Sequence, residues 1–314
     1  MYKALIIGCG NIGAMYDFET ESISTYAKAF HIDPEIEFEV YDTNPKASIR
    51  VAERYGVRCL HDLTPAVYQN YDMVVISTST ATHYEYLSLM LERGPRLVIC
   101  EKPVVTDRVR LENVLSLYRK SNTKVLVNFF RRFQPGIIQL KEEIDGILIG
   151  ERCTNIVVTY QRGFHNNASH AVDLLEFLFE SVLDFSEVRI NHKAFDEFQS
   201  DPTMSVPCIW NGANVQFIGL AHAAFSLFDI AIYFNSKAVL LKDGGNEIEL
   251  LTTTNKTGNF YPKLSVQNRQ TGVVENYMVN VVAHAKRLLK KAGCRDNFLE
   301  SVSISKRILK LQGH

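Results

Sequence analysis

Lys3-Ala4-Leu5-Ile6-Ile7-Gly8-Cys9-Gly10-Asn11-Ile12-Gly13 reads as an apolar strand that runs into a G-x-G-x-x-G turn and opens a helix. Gly8 allows the tight turn, Gly10 lets backbone approach a pyrophosphate, and Gly13 lets the new helix pack closely on its strand. The helix N-terminus, with unpaired N–H groups and a partial positive charge, then faces the phosphates. Gly8, Gly10, Asn11, Ile12 and Gly13 are the first candidate dinucleotide contacts. An ordinary glycine turn is the competing reading of the triplet alone. A secretory leader is a further competing reading, and three glycines inside the apolar run with no small-residue cleavage pattern count against it.

The rest of the composition narrows the class. At 314 residues the chain exceeds one ordinary core, so two domains are expected. Its 34 Lys plus Arg balance 35 Asp plus Glu, and no basic patch is interleaved with aromatics, which argues against a nucleic-acid partner. No apolar run approaches the roughly 18 residues of a membrane span, so no membrane partner is expected. Cys9, Cys59, Cys100, Cys153, Cys208 and Cys294 are scattered without a C-x-x-C pair. They read as reduced thiols of a cytoplasmic protein, with neither a disulfide framework nor a metal site.

Downstream of Gly13 the acidic stretch Asp17-Phe18-Glu19-Thr20-Glu21-Ser22 interrupts the helical spacing and reads as an insertion, either a flap over the cofactor or a solvated loop. The pattern resumes at Tyr26, Ala29 and Phe30 and stops at Asp33-Pro34. Glu37 to Tyr41 alternates as a strand, and Asp42 ends it, where a dinucleotide fold places the acid that accepts from the adenosine ribose. Asp42 lies 29 positions beyond Gly13, against the roughly 20 expected, and the insertion accounts for the excess. A 2′-phosphate would meet like charge there, so NAD is favoured; Lys46 and Arg50 just downstream keep NADP as the alternative.

Asp72 to Ser77 is a near-continuous apolar run, as expected of a strand covered on both faces. It ends in Thr78-Ser79-Thr80-Ala81-Thr82-His83, and ligands of open α/β sheets sit at such carboxyl ends, which adds Ser77, Thr78 and His83 to the cofactor candidates. Arg96 to Cys100 delivers Glu101-Lys102-Pro103 to the same edge. With helices at 46–55, 84–92 and 110–120 and a strand at 124–128, the β-α alternation indicates a parallel sheet. Beyond residue 150 long alternating strands take over, at 154–161, 187–192, 206–211, 215–220, 227–235, 238–242 and 247–251, with Gly212-Ala213 and Gly244-Gly245 as turns. So many strands with few covering helices leave one sheet face needing a partner, hence a homodimer or homotetramer. Helices near 277–291 and 298–311 close the chain.

The glycine turn, Thr78-Ser79-Thr80-Ala81-Thr82-His83 and Glu101-Lys102-Pro103, at these spacings, resemble the glucose-fructose oxidoreductase, inositol dehydrogenase and MocA-like (Gfo/Idh/MocA) family. Asn128-Phe129-Phe130-Arg131-Arg132-Phe133-Gln134-Pro135 is similar to the segment leading out of that family's first domain. Asn166-Asn167-Ala168-Ser169-His170-Ala171-Val172-Asp173-Leu174-Leu175 is similar to its catalytic-histidine helix, and Phe228 to Lys237 to its strand before a G-S-K-G-type turn. The resemblance implies an α/β chain: a Rossmann domain over 1–126, then an α+β substrate and oligomerisation domain over 127–314 with a large, open, mostly antiparallel sheet.

It implies also an NAD(P)-dependent oxidoreductase acting on a secondary alcohol or ketone of a sugar, polyol or nucleotide sugar. Transient oxidation by a glycosidase or epimerase is the second reading, and a ligand sensor without turnover the third. Lys102, at a strand's carboxyl end, has an ammonium that polarises a carbonyl or stabilises an alkoxide; Glu101 and Lys102 complete the cofactor set. By resemblance His170 is the general acid/base, and Lys102, Arg131, His165, Asn166 and His170 form the substrate set. The competing readings are a surface lysine and a core histidine. For Arg131, Arg132 and Arg162, structural pairing is the stronger reading. Asn166 stands where many members carry Asp; on one helix it would share a face with His170, whereas Asp173 would face elsewhere and be structural.

Overall fold

In a computed structural model of the chain, which describes residues 1–64, 66–185, 188–254, 261–291 and 293–313, six strands form one parallel sheet. They are β1 (Tyr2–Ile7), β2 (Ile36–Tyr41), β3 (Arg58–Cys59), β4 (Met73–Ile76), β5 (Leu97–Cys100) and β6 (Lys124–Val127). Their order is β3-β2-β1-β4-β5-β6, that of a dinucleotide-binding doubly wound sheet. Every β4 and β5 side chain is buried, because helices cover both faces of a parallel sheet. Half-covered β2 instead alternates. The connecting helices are α1 (Tyr26–Ile32), α2 (Pro45–Tyr55), α3 (His83–Arg93) and α4 (Arg108–Tyr118). The chain reverses direction of travel through the sheet between β1 and β4, which pair Ile7 with Ile76.

Gly13 does not start a long helix. Residues Asn11–Met15 make a single wide turn, after which the Asp17 carboxylate takes over: Oδ2 accepts from the Ser24 and Thr25 N–H groups at 2.6 and 2.9 Å, and Oδ1 from the Thr25 hydroxyl at 2.7 Å. Asp17 is fully buried and Phe18 nearly so, with the Arg50 guanidinium 4.4 Å from the Phe18 ring centroid. The acidic stretch is a brace that starts α1, and only Glu19 to Ser22 are exposed.

A second compact unit spans Arg131–Val274. Two helices, α5 (Pro135–Leu148) and α6 (Ser169–Phe179), accompany an eight-stranded sheet of order β14-β13-β12-β11-β7-β10-β9-β8. Its strands are β7 (Cys153–Tyr160), β8 (His192–Ala194), β9 (Thr203–Trp210), β10 (Ala213–Gly219), β11 (Asp229–Phe234), β12 (Lys237–Lys242), β13 (Glu247–Thr254) and β14 (Lys263–Gln270). All pairings are antiparallel except β7 with β10. Inward residues such as Ile156, Val158, Val215, Phe217, Ile230 and Ile232 are buried, while Ile209, Ile218 and Tyr233 are exposed. The strand expected at 187–192 falls instead at His192–Ala194, paired antiparallel with Ser205, Met204 and Thr203 at the start of β9. Glu187 itself lies outside the described residues. Helix α5 and strand β14 were not anticipated.

Of the last two helices, α7 (Tyr277–Lys290) and α8 (Phe298–Gln312), residues 275–309 cluster with the first unit and 310–313 with the second. Phe298, Val302 and Leu309 join Val98, Leu111 and Val125 in its core, and Asn297 donates to the Val127 carbonyl at 2.9 Å. Residues 127–130 also belong to the first unit. No helix of the described residues is long and apolar enough to cross a membrane.

Candidate functional site

In the first unit the carboxyl ends of β1, β2 and β4 enclose a cleft of about 230 Å³ lined by Ile7, Gly8, Gly10, Tyr41, Asp42, Thr43, Ser77, Thr78, Ser79, Thr82 and Tyr86. Its floor is made by close backbone approach. Gly8 has φ +99°, and a Cβ there would stand 2.7 Å from the Ser77 carbonyl carbon. A Cβ on Gly13 would overlap the Gly8 carbonyl oxygen, whereas one on Gly10 would meet nothing within 4 Å. The first and third glycines thus bring strands and turn together, and the exposed second one leaves room for a ligand. Ser77 is buried and ties the floor by donating to the Ile7 and Gly8 carbonyls at 3.1 and 2.8 Å. Asn11 is exposed and Ile12 half-buried at the rim.

Asp42 is preset. Its Oδ2 accepts from the Cys9 N–H at 2.7 Å and its Oδ1 from the Asn44 N–H at 2.8 Å. Burial, and then the charge of Asp42, push the neighbouring Cys9 thiol up to about 12, so it stays neutral. These features fit a dinucleotide: glycine-lined backbone for the diphosphate, and a fixed carboxylate for the ribose diol.

His83 supports this cleft from behind. It is buried, with Nδ1 3.0 Å from the Pro103 carbonyl and Nε2 3.1 Å from the Thr78 carbonyl, so its ring joins the turn after β4 to the turn after β5. Burial lowers its pKa against the pull of those carbonyls. Its placement is that of a strut; Thr78 and Thr82, joined hydroxyl to hydroxyl at 2.8 Å, stand at the cleft itself.

Glu101 and Lys102 follow β5, with Lys102 half-buried before a cis bond to Pro103. The Glu101 Oε1 accepts from the Tyr26 hydroxyl at 2.7 Å and the Asn128 amide at 2.6 Å. Burial raises the Glu101 pKa, opposed by Asn128, Tyr26 and Lys102. Glu101 is thereby engaged by Tyr26 and Asn128, and neither it nor Lys102 lines the cleft.

In the second unit, His165 and Asn166 lie in a wide turn, Phe164–Ala168, and His170 in α6 proper. The two are therefore not on one regular helix, and the shared-face argument for Asn166 and His170 does not hold. Asn166 donates its amide to the Arg162 carbonyl at 3.1 Å. Asp201 fixes the turn: Oδ1 accepts from the His165 N–H at 2.8 Å and the Gln312 amide at 2.7 Å, and Oδ2 from the Asn166 N–H at 2.6 Å. Asp201 carried no local signal, since it lies 36 positions from His165.

His170 is buried, its ring edge-on to Phe228 at 6.5 Å. Arg131 stacks on the same Phe228 at 4.2 Å and donates its Nε to the Gly244 carbonyl at 2.6 Å. The structure thus joins Arg131 and His170 through one aromatic ring. Arg132 and Asp173 form a buried two-point ion pair at 2.9 and 3.1 Å, and Arg162 pairs with Glu197 at 2.9 Å. Arg132, Arg162 and Asp173 are thus engaged in ion pairs.

Residues 2–129 match the profile of an oxidoreductase family with an NAD-binding Rossmann fold. An inositol 2-dehydrogenase of Rhizobium meliloti is 30% identical over 148 residues, 46% of this chain and 41% of that protein. An oxidoreductase of Formosa agariphila is 26% identical over 206 residues, 56% of this chain and 60% of that protein. The chain thus spans between two fifths and three fifths of the length of these relatives. A 3-ketoreductase from Actinomadura kijaniata, solved with NADP, shares the fold with a TM-score of 0.71 and 15% identity, covering 99% of this chain and 96% of that one.

Proposed function

We propose, from the match of residues 2–129 to the Gfo/Idh/MocA oxidoreductase family with its NAD-binding Rossmann fold, that the chain is an NAD(P)-dependent oxidoreductase acting on a CH–OH group of a sugar or polyol. The observation that carries the reading is the cleft at the β1/β4 reversal, with open Gly10 and tethered Asp42. Gly8, Gly10, Asn11, Ile12 and Gly13 hold the diphosphate, and Asp42 the adenosine ribose. A bound nicotinamide supplies hydride exchange. The fixed charge of Asp42 favours NAD over NADP.

Lys102 stabilises negative charge on the substrate oxygen, and His170 accepts or returns the hydroxyl proton. Asn166, His165 and Arg131 are assigned to the substrate side, the last through Phe228. Inositol dehydrogenases among the relatives make cyclitols the first substrates to try. Exposed Ile209, Ile218 and Tyr233 support self-association of the second sheet as a homodimer or homotetramer, and six unpaired cysteines support a cytoplasmic location.

The test is absorbance at 340 nm with NAD or NADP and a panel of cyclitols and sugars beginning with myo-inositol, run beside Lys102→Ala and His170→Ala. NAD reduction lost in both variants supports the reading. A substrate turned over normally by Lys102→Ala defeats it.

A further inference from the structure

The wide turn that carries His165 and Asn166 starts abruptly. Arg162 and Gly163 both have positive φ, +66° and +80°, so the chain leaving β7 reverses there, and Gly163, at the cap position, has no side chain to offer as an acceptor. The first N–H groups of such a turn find no partner inside it. Four consecutive ones are taken instead by one remote tripeptide, Asp201-Pro202-Thr203. The Gly163 N–H donates to the Thr203 hydroxyl at 2.9 Å and that of Phe164 to the Pro202 carbonyl at 3.0 Å. Those of His165 and Asn166 go one to each Asp201 carboxylate oxygen, at 2.8 and 2.6 Å.

The fit between the two segments is close. A Cβ on Gly163 would stand 2.2 Å from Asp201 Oδ2, so only glycine admits the carboxylate this near. Thr203 is fully buried and donates its hydroxyl to Asp196, 3.0 and 3.1 Å from the two oxygens, which leaves a lone pair for the Gly163 N–H. Residues 310–313 cluster with this same unit, and the buried Gln312 amide donates to Asp201 Oδ1 at 2.7 Å. Oδ1 is therefore shared between the His165 N–H and Gln312. A buried carboxylate takes its orientation from its donors, so the Gln312 amide helps decide which way Asp201 faces the turn.

We propose that Asp201, held by Gln312, is a positioning residue for the substrate side of the site: together they set the turn that presents His165 and Asn166. This rests on the reading of those two residues given above, but the clamp itself is measurable without any substrate. Gln312→Met keeps the length of the side chain and removes the donor, so Asp201 is free to turn and the two N–H groups lose an aligned acceptor. Asp201→Asn keeps the shape but puts an NH2 group where one acceptor oxygen stood, so one of the two N–H groups faces a donor.

Two measurements on the full chain test this. Hydrogen exchange, read by mass spectrometry with electron-transfer fragmentation, follows the N–H groups of His165 and Asn166 beside those of Val215 and Phe217 in β10. The turn amides should exchange about tenfold faster in Gln312→Met and faster still in Asp201→Asn, with β10 unmoved. Adding Gln312→Met to Asp201→Asn should change them by less than about threefold, since both act through one carboxylate. Kinetics at 340 nm, on the first cyclitol or sugar of the panel above that wild type turns over, should show KM raised about tenfold, with kcat within about threefold and NADH affinity within about twofold. Unmoved turn amides, equal acceleration in β10, or kcat lost at constant KM overturns the proposal, the last being what a smaller folded fraction alone produces. Should Asp201→Asn fail to fold, Gln312→Met decides by the same criteria. If wild type turns over nothing in the panel, the functional reading fails, while the exchange rates still decide the clamp.

Discussion

Replacing Asp42 by alanine should reverse the cofactor preference, and the structure sets the size of the effect. The carboxylate is tethered by the Cys9 and Asn44 N–H groups at 2.7 and 2.8 Å, so it cannot swing away from an incoming 2′-phosphate. At ~4 Å, unit charges repel by about 1 kcal/mol in bulk water and about 4 kcal/mol at a protein-surface dielectric. Asp42 is half-buried, so about 2 kcal/mol is the working figure. The variant also forfeits the ribose hydrogen bonds to a charged acceptor, worth about 1.5–3 kcal/mol, and this loss falls on NAD. Together these, about 3.5–5 kcal/mol, move the NAD-to-NADP affinity ratio by about 300- to 4,000-fold at ~1.4 kcal/mol per decade. Fluorescence titration of NADH and NADPH into wild type and Asp42→Ala measures it directly. A thermal melt runs alongside, because two backbone N–H groups lose their acceptor. A ratio unchanged within threefold would refute the ribose contact.

Other expected outcomes follow from the same geometry. Arg132→Met strands Asp173, which is 1% exposed, and should cost about 3–5 kcal/mol in urea unfolding, much of it recovered in Arg132→Met/Asp173→Leu; equal instability of single and double variants would contradict the pair. Gly13→Ala forces a Cβ into the Gly8 carbonyl oxygen, so NADH affinity should drop at least tenfold, with a stability loss of about 1–3 kcal/mol in the same titration and melt series. Hydrogen bonds from Lys286 and Lys290 hold the Glu35 carboxyl down to about 2. A depressed folded-state pKa gives stability that is present above the unfolded value and lost as pH falls, here between about 4.5 and 2. The urea midpoint of wild type, relative to Glu35→Gln, should decline through that window, and less so in high salt because the pair is exposed.

The first sheet was legible because its signals are local. Burial on both faces forces the apolar runs of β4 and β5, and the glycine triplet lies within six residues, its third member meeting its first and the first meeting Ser77 at the end of β4. Asp42 could be singled out despite its late position because the insertion could be subtracted. What escaped depends on partners far along the chain. Asp17 reads as one more surface acid until Ser24 and Thr25 fold back on it. Asp201 meets the His165 turn across 36 positions, and Arg132 meets Asp173 across 41. The edge strand β14 alternates little, its residues being mostly exposed, so no periodicity marked it. The Asn166 turn was misread as regular helix because a wide turn has no signature in residue spacing.

The central claim is that the cleft between β1 and β4 takes a nicotinamide dinucleotide and that Lys102 acts on what is bound beyond it. NADH fluorescence titration of the full chain, of Gly13→Ala and of Lys102→Ala tests this most directly. The account expects saturable one-site binding by wild type, binding retained within about threefold in Lys102→Ala, and binding lost in Gly13→Ala. Absence of saturable binding by wild type, or equal affinity in all three proteins, would contradict it.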